Sequence, residues 1–424
     1  MYLQFIFVFA SIAAIIDFYF YLSIRQVVKR NDALKKVNKW ILYTYWGFTA
    51  FTLCFLFLAT YYYIEKVPPP KFARIYITGF IFIVILSKLF GIVFFIIDDI
   101  KSLSLWVIHL FKTKSRIEIS EGHNISRGKF IKQSGLIASA VPFVTMMYGV
   151  VKSAFDFKVI NVKLHAPGIP KQFNGFKIVQ ISDIHTGSFI SDSPMKDAVK
   201  IINDQNADVI FFTGDLVNEV AEEALPFIDV LKNISAKHGV YSILGNHDYG
   251  DYFYQKNDLE GKKHNFAVMR DVHQQLGWDL LLNEHRSIEN NGERINIIGV
   301  ENWGSSKRFQ KHGDVSRARL GMDDDAFKIL LSHDPSHWDA FVRKEHRDIA
   351  LTLSGHTHGF QLGIEIPGYI KWSPSKYLYK QWAGLYQEAG QWIYVNRGLG
   401  FLGYPGRLGM LPEITVIELQ STQA

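Results

Sequence analysis

The chain of 424 residues contains one cysteine, Cys54, and this cysteine lies inside an apolar run. A single thiol can form neither a disulfide framework nor the cysteine ligand set of a zinc site. Any metal ion must therefore be bound by histidine, aspartate, asparagine or glutamate side chains.

The second half of the chain also lacks a concentrated stripe of basic residues, although the formal net charge of the whole chain is +6. A groove that binds nucleic acid needs such a stripe, so we expect no nucleic-acid partner and disfavour a nuclease. Many of the lysines and arginines lie instead between apolar segments in the first third of the chain. That placement is typical of the cytoplasmic loops of a membrane protein.

Three apolar stretches near the start of the chain are each long enough to cross a bilayer, which needs roughly 20 residues. They comprise residues 3–24, 40–64 and 72–97. The first is too long and too weakly basic at its start for a cleaved signal peptide. A fourth stretch, residues 134–151, contains Pro142 and is less apolar, and we predict that it also spans the membrane. The short apolar segment 103–111 is expected to lie at the membrane interface.

Basic residues predict the orientation of these spans. Loop 25–39 carries six lysines and arginines and loop 98–132 carries seven, whereas the intervening EKVPPPK carries two. By the positive-inside rule the two basic loops face the cytoplasm, and a fourth span then places the rest of the chain outside. SRGKFIK, before that span, is similar to a twin-arginine export signal, except that Gly128 replaces the second arginine. We therefore predict a multi-pass protein of the inner cell membrane with an extracytoplasmic catalytic domain.

From about residue 158 the sequence becomes that of a soluble α/β domain, in which apolar runs end in polar clusters. Five of these runs are FKIVQISDIH, ADVIFFTGD, GVYSILGNHD, FKILLSHD and DIALTLSGHTH. Open α/β sheets place their ligand sites just beyond the carboxyl ends of their strands. Each cluster alone is compatible with an ordinary polar turn, but five such clusters in succession favour one shared site.

The order Asp-x-His, Gly-Asp, Gly-Asn-His-Asp, His and Gly-His-Thr-His resembles that of the calcineurin-like metallophosphoesterase superfamily, over residues 158–420. The chain looks most similar to the membrane-associated bacterial phosphodiesterases of the YaeI and YkuE type, partly through the tail YVNRGLGFLGYPGRLGMLPEIT. A departure is Phe360, where that group has a second glycine. The expected fold is a set of N-terminal transmembrane helices (residues 1–151) followed by an α/β metallophosphoesterase domain (152–424), a β-sandwich flanked by helices.

The resemblance implies a site for two divalent metal ions. One ion would be bound by Asp183, His185 and His358, the other by Asn246, His333 and His356, with Asp215 bridging the two. These seven ligands mix oxygen and nitrogen atoms, which favours Mn, Fe or Zn over Mg or Ca.

The resemblance also implies roles for residues that do not bind metal. His247 would stabilise the transition state or protonate the leaving oxygen, and Asp248 would orient His247. Arg397 and Arg407, in the tail, would bind a second phosphate or another anion of the substrate; a structural role for both stays open. The insertion DYFYQKNDLEGKKHNF after Asp248 is placed to form a lid or a substrate wall. The aromatic side chains of Trp303, Trp372, Trp382 and Tyr377 would either face a membrane or acyl chain or belong to the core.

These observations favour a membrane-anchored, two-metal phosphoesterase whose partners are the lipid bilayer and a phosphate-ester substrate. The expected substrates are phosphodiesters or lipid-linked pyrophosphates at the extracytoplasmic face. The alternative is a membrane protein whose phosphoesterase-like domain only senses or binds. The complete ligand set argues against that alternative, because a degenerate domain has no reason to keep all seven residues.

Overall fold

The computed structural model describes residues 2–29, 36, 38–64, 70–111, 127–323, 325–366 and 368–421. The chain divides into two compact units, Met1–Tyr148 and Gly149–Ala424. Residues 65–69 of the proline-rich loop lie outside the described residues. So do residues 30–35, 37 and 112–126, which make up much of the two basic loops, and the orientation inferred from those loops stays a prediction.

Four long helices begin in the first unit. They are α1 (Tyr2–Lys29), α2 (Asn38–Ile64), α3 (Thr78–Phe111) and α4 (Arg127–Val151), and a π-helical turn, Ala73–Ile77, precedes α3. All four are long and apolar enough to cross a membrane, which confirms the expectation of four apolar N-terminal helices. The segment 103–111 forms the last part of α3, and the expectation that it lies at the membrane interface stays a prediction.

A buried ion pair connects three of these helices. Lys88 of α3 donates to Oδ1 of Asp17 in α1 over 2.5 Å, and Thr49 of α2 donates to Oδ2 of the same carboxylate over 2.7 Å. A charge among apolar helices is costly unless it is paired, so each partner favours the packing that keeps the other within reach. The contacts therefore fix the register of α1, α2 and α3.

The second unit is built on fourteen strands within the described residues, numbered in chain order. They are β1 (Lys158–His165), β2 (Lys177–Ile181), β3 (Val209–Phe212), β4 (Val240–Ser242), β5 (Asp279–Leu280), β6 (Glu284–Asn290), β7 (Glu293–Gly299), β8 (Phe327–Leu331), β9 (Leu351–Ser354), β10 (Ile364–Ile366), β11 (Ile370–Trp372), β12 (Gly384–Glu388), β13 (Gln391–Val395) and β14 (Glu413–Gln420). One mixed sheet has the order β1-β14-β2-β3-β4-β5 and the other β12-β13-β9-β8-β7-β6, while β10 and β11 form a separate two-stranded ribbon.

The two large sheets enclose the central core of the second unit. Ile178 and Phe211 from the first sheet pack in one buried cluster with Ile329 and Leu353 from the second. The outer face of the first sheet packs against α5 (Ser193–Asn203), α6 (Ile228–Leu231) and α7 (Leu259–Leu276). The outer face of the second sheet packs near α8 (Val315–Ala318), and a π-helical turn leads into the short α9 (Arg343–Glu345). This is the predicted β-sandwich flanked by helices.

Strand direction explains where the polar motifs meet. Strands β2, β3 and β4 run parallel in one sheet, and β8 and β9 run parallel in the other. Their side chains are almost all buried, because both faces of each sheet are covered, which accounts for their nearly continuous apolar sequences. The five polar motifs directly follow the carboxyl ends of these five strands.

Candidate metal centre

The structure brings the predicted metal ligands together from both sheets. The loops after β2, β3 and β4 supply four of them: Asp183, His185, Asp215 and Asn246. The loops after β8 and β9 supply the other three: His333, His356 and His358. Six of them form two groups of three whose ligand atoms lie within 4.8 Å of one another.

The first group consists of Asp183, His185 and His358, and all three side chains are buried. Nε2 of His358 lies 3.1 Å from Oδ1 of Asp183 and 3.0 Å from Nε2 of His185. Nδ1 of His185 lies 3.1 Å from the carbonyl oxygen of Val217. Because that carbonyl can only accept, Nδ1 carries the proton and Nε2 keeps its lone pair for the centre of the group. A carboxylate and imidazole nitrogens that converge in this way suit a divalent cation.

The second group consists of Asp215, His333 and His356. Nδ1 of His333 donates to the carbonyl of Thr213 over 2.7 Å, which leaves Nε2 facing the group. This Nε2 lies 3.1 Å from Oδ2 of Asp215 and 3.3 Å from Nδ1 of His356. The same carboxylate oxygen of Asp215 is 3.7 Å from Nε2 of His185 in the first group. Asp215 therefore lies between the two groups, where a bridging ligand must be.

Asn246 follows β4 on the loop beside Asp215. Its Nδ2 donates to the hydroxyl of Tyr252 over 2.9 Å, whereas its Oδ1 is buried and has no hydrogen-bond partner among the described residues. Buried polar atoms are nearly always satisfied, and an amide oxygen is a suitable ligand for a divalent ion. The donor set therefore fits a pair of metal ions.

The electrostatic environment keeps the carboxylates ionised. Burial alone would raise the pKa values of Asp183 and Asp215, but His358 and His333, respectively, hold both below their usual range. Burial and the neighbouring His358 lower the pKa of His185, which favours the neutral imidazole. For His333, burial lowers the pKa, but Asp215 more than offsets this and raises it to about 10. A proton and a metal ion would therefore compete for Nε2 of His333.

The backbone is strained at this site. Five of the seven candidate ligands have left-handed backbones, with φ of 49° at Asp183, 51° at His185, 60° at Asp215, 72° at His356 and 51° at His358. Non-glycine residues rarely adopt this region, and each instance costs about 1–3 kcal/mol. Such strain concentrates at functional sites, because the surrounding structure must hold the residue in place.

Two glycines allow the loops to approach each other. A Cβ at Gly245 would lie 2.2 Å from Oδ1 of Asp215, and a Cβ at Gly355 would lie 1.9 Å from Oγ of Ser182. Neither site has space for a larger residue. The glycines of the GNHD and SGHTH motifs are therefore explained by close packing beside the ligand carboxylates.

His247 lies next to both groups but belongs to neither. Its backbone N–H donates to Oδ1 of Asp215 over 2.9 Å, and its ring centroid is 5.0 Å from that of His185. Its Nδ1 is 2.5 Å from the carbonyl oxygen of Asn218, and Tyr252 stacks on the ring with a centroid distance of 4.3 Å. The Asn218 carbonyl fixes the orientation of this imidazole and leaves Nε2 available.

Asp248 contacts the backbone of two neighbouring loops. Its carboxylate accepts hydrogen bonds from four backbone N–H groups, those of Asp215, Leu216, Val217 and Gly245, at 2.8 to 3.2 Å. All four of these contacts go to the loops after β3 and β4, which favours a role in holding those loops; the expectation that Asp248 orients His247 stays a prediction. Burial and the charge of Asp215 raise the pKa of Asp248 to about 7.

The two tail arginines contact other groups of the protein itself. Arg407 is fully buried, donates to three backbone carbonyls of the tail, and has Nη2 3.4 Å from Nδ1 of His358. Arg397 forms ion pairs with Glu365 at 2.6 Å and Glu413 at 3.1 Å. These contacts favour the structural role for both arginines, and the expected contacts with a substrate anion stay a prediction.

Three aromatic side chains beside the site have no motif of their own in the sequence. Tyr252 belongs to the insertion that was expected to form a lid or wall, and it stacks on His247. The ring of Phe309 lies edge-on against His356 at 4.9 Å, and the hydroxyl of Tyr379 lies 2.7 Å from Nε2 of His356. Only Tyr252 carried a sequence signal, its place in the insertion four residues after the last residue of the GNHD motif.

Asp334 and Phe360 complete the surroundings of the site. Oδ2 of Asp334 is buried and lies 3.6 Å from Nε2 of His356, so Asp334 and Tyr379 both face the nitrogen that points away from the metal group. The only sequence signal for Asp334 was its position directly after His333. Phe360 has φ of 57°, a value that favours glycine, and its side chain is exposed.

Known proteins match both units. A family described as "Probable Calcineurin-like phosphoesterase, transmembrane domain" matches residues 3–154, and the family "Calcineurin-like phosphoesterase" matches residues 176–360. The uncharacterized metallophosphoesterase YkuE of Bacillus subtilis is 33% identical over 257 residues, which cover 60% of this chain and 82% of YkuE. A Danio rerio transmembrane protein with metallophosphoesterase domain is 29% identical over 303 residues, 70% of this chain and 64% of that protein. The metallophosphoesterase YkoQ of B. subtilis, also uncharacterized, is 27% identical over 282 residues, 65% of this chain and 96% of YkoQ.

Proposed function

The chain belongs to the calcineurin-like metallophosphoesterases, and from this premise we propose that it is a membrane-anchored phosphodiesterase or lipid-linked pyrophosphatase. The observation that carries the proposal is the pair of buried ligand groups on either side of Asp215. The four apolar helices support an anchor in the bilayer. The hydrolytic step would then take place beside the membrane that holds the enzyme.

The proposed ligands are the seven residues at the strand ends, with Asp215 shared between the two groups. A pair of divalent ions bound there supplies neutralisation of the ester charge, a bound water of lowered pKa and alignment of the reacting oxygens. The protein contributes ligands in a preset arrangement, held by the left-handed backbones and by the hydrogen bonds of His185 to Val217 and of His333 to Thr213. The mixed oxygen and nitrogen donors favour Mn, Fe or Zn.

His247 is the proposed proton donor to the leaving oxygen. Its Nδ1 faces the carbonyl of Asn218 and its ring lies against Tyr252, so the side chain is fixed on both sides. A carbonyl acceptor favours the proton on Nδ1, which leaves Nε2 to carry the second, transferable proton of the imidazolium. In this proposal Asp248 supports catalysis by holding the loops that carry Asp215 and Asn246.

The full chain, purified without metal and reloaded with Mn, Fe, Zn or Mg, tests the activity. Soluble monoesters and diesters, phospholipids and lipid-linked pyrophosphates form the substrate panel. We expect hydrolysis of diesters or lipid-linked pyrophosphates, supported by Mn, Fe or Zn and lost in Asp215→Ala but retained in Asp197→Ala, which changes an exposed aspartate of α5. A chain that binds two ions and hydrolyses nothing in the panel would favour a sensor or binding domain.

We also propose that the catalytic unit faces away from the cytoplasm. The support is the excess of basic residues in the loops 25–39 and 98–132, together with the helical form of α4 through Pro142. Protease added to cells with an intact cytoplasmic membrane should then cut between residues 160 and 421. Protection of this region until that membrane is breached would place the unit in the cytoplasm.

A further inference from the structure

The ribbon of β10 and β11 has one apolar face and one charged face. Its antiparallel pairs are Ile364 with Trp372, Glu365 with Lys371, and Ile366 with Ile370. Side chains alternate between the two faces of a strand, and residues directly opposite each other share a face. Ile364, Ile366, Ile370 and Trp372 therefore lie on one face, and the pair of Glu365 and Lys371 lies on the other.

The charged face of the ribbon is turned toward the protein. Glu365 pairs with Arg397 at 2.6 Å, and Nζ of Lys371 donates to the carbonyl of Ala383 over 2.6 Å and lies 5.3 Å from the centroid of the Trp382 ring. The three isoleucines on the opposite face keep 48–53% of their side chains exposed. A surface strand ordinarily buries its apolar side chains and exposes its charges. In this ribbon the three isoleucines are exposed, whereas Glu365 is half-buried and Lys371, although exposed, directs its Nζ to the carbonyl of Ala383.

The exposed apolar surface extends beyond the ribbon. Tyr369 in the turn, Tyr377 and Leu378 are 71–87% exposed, and Nε1 of Trp372 is 3.5 Å from the hydroxyl of Tyr377. We call these residues together the outer ribbon face: Ile364, Ile366, Tyr369, Ile370, Trp372, Tyr377 and Leu378. Pro367, in the turn, lies outside the described residues. A contiguous apolar patch of this kind marks an interaction surface.

We propose that the outer ribbon face docks on the surface of a lipid bilayer. Its strands of three residues are too short to cross a membrane, so the face would enter only the interfacial layer. The face combines aliphatic side chains with tyrosine and tryptophan, which favour the interface because they have apolar bodies and polar tips. The exposed Lys376, 5.3 Å from the centroid of the Tyr377 ring, adds a positive charge suited to anionic headgroups.

The rest of the chain favours lipid over a protein partner as the occupant. Four helices of membrane-spanning length belong to the same polypeptide, so the ribbon is tethered to a bilayer. Because the chain is tethered, docking of the ribbon is in effect an intramolecular step. A small apolar area is then sufficient to hold the ribbon on the bilayer. Oγ of Ser373, just after β11, donates to the carbonyl of Gly359 over 2.7 Å, so docking would also hold the turn that carries His358 close to lipid.

Site-specific fluorescence on the full chain tests the proposal without any assumption about catalysis. In a Cys54→Ser background, a polarity-sensitive dye is attached at Ile370→Cys and, in a matched control, at Leu320→Cys. Leu320 is also apolar, is 76% exposed, and follows α8 in the same unit. Each protein is placed in nanodiscs of phosphatidylethanolamine and phosphatidylglycerol that hold one chain per disc.

We expect doxyl groups on the lipid chains to quench the dye at position 370 but not at position 320, and aqueous iodide to quench only at 320. Equal iodide quenching at both positions, without doxyl quenching at 370, would overturn the proposal. Protection of position 370 from both quenchers would overturn it as well, because protein and not lipid would then cover the face.

A second variant separates docking from folding. This variant combines Ile364→Ser, Ile366→Ser and Ile370→Ser and retains Glu365 and Lys371. The dye is attached at Tyr377→Cys. We expect lipid quenching to fall to the level of the control, with unchanged metal content and unchanged hydrolysis of a soluble diester. Retention of lipid quenching in this variant would contradict the proposal. The readout stands even if the chain hydrolyses no ester, so failure of the proposed function would be recognised separately.

Discussion

Replacement of Asp248 by asparagine distinguishes two roles for this residue, which either holds the metal-binding loops or orients His247. The carboxylate accepts hydrogen bonds from four backbone N–H groups, two on each oxygen. Asparagine is similar in size and shape but has one acceptor oxygen. Its amide group would therefore face two backbone N–H groups that have lost their acceptor.

The size of the effect follows from these two groups. A buried N–H without a partner costs about 1–3 kcal/mol, so two of them cost about 2–6 kcal/mol. Part of this cost is offset, because burial of the wild-type carboxylate beside Asp215 is itself unfavourable and the variant avoids it. Burial and the charge of Asp215 raise the pKa of Asp248 to about 7, which shows that the ionised form is disfavoured. We expect the free energy of unfolding of the second unit to fall by about 2–4 kcal/mol. Metal occupancy should fall too, since either Asp215 and Gly245 or Leu216 and Val217 lose their common acceptor.

Urea unfolding of the full chain in nanodiscs, with metal content measured on the same samples, provides the assay. Asp197→Asn is the control for the loss of an exposed carboxylate, and His247→Ala shows the effect of losing the imidazole alone. If Asp248→Asn keeps normal stability and both metal ions but loses as much turnover as His247→Ala, then Asp248 acts through His247. The four N–H contacts would then not be what makes Asp248 necessary.

Three further variants test other parts of the site and fold. His247→Ala should keep both metal ions while kcat falls by about 10²-fold or more, the usual size of a general-acid effect; loss of an ion would make His247 a ligand. Tyr379→Phe removes the hydroxyl 2.7 Å from Nε2 of His356 and should weaken metal binding about 10-fold; unchanged affinity would leave the orientation of His356 to Asp334. Burial lowers the pKa of His273 from 6.5 to about 4, so the unfolded state takes up a proton first and stability falls as pH drops from 6.5 to 4, by about 3 kcal/mol. His273→Leu should remove that share of the pH dependence in urea unfolding, and an unchanged slope would show that other groups cause it.

The fold and the clustering of the candidate ligands were accessible from the sequence because their signals are local. Each ligand lies within a few residues of the end of a buried strand, and strands buried on both faces have nearly continuous apolar sequences. The strand ends in turn predict that the ligands meet at one edge of each sheet. The family resemblance then supplied the division of the seven residues between two ions.

The role of Asp248 left no local signal. Its four hydrogen bonds reach backbone groups as distant as residue 215, and a backbone N–H has no identity that a sequence motif could reveal. The same holds for Arg407, whose acceptors are carbonyl oxygens. A motif therefore shows that such a residue matters while leaving open whether it contacts the substrate or the protein.

The ribbon illustrates another limit. The alternation of Ile364, Glu365 and Ile366 predicts an amphipathic strand, but the pattern does not state which face is buried. The ordinary expectation would bury the isoleucines. In the structure the isoleucines are exposed, and Arg397 and the carbonyl of Ala383 provide partners for Glu365 and Lys371.

Seven side chains are proposed to hold two metal ions, with Asp215 shared between the ions. Electron paramagnetic resonance of the purified full chain loaded with Mn²⁺ tests this arrangement directly, because two bridged ions give an exchange-coupled spectrum and separate ions do not. We predict a coupled spectrum from two ions per chain, abolished in Asp215→Ala and retained in Asp197→Ala. An uncoupled spectrum from the unmodified chain, or a coupled one that survives Asp215→Ala, would show that Asp215 does not bridge two ions.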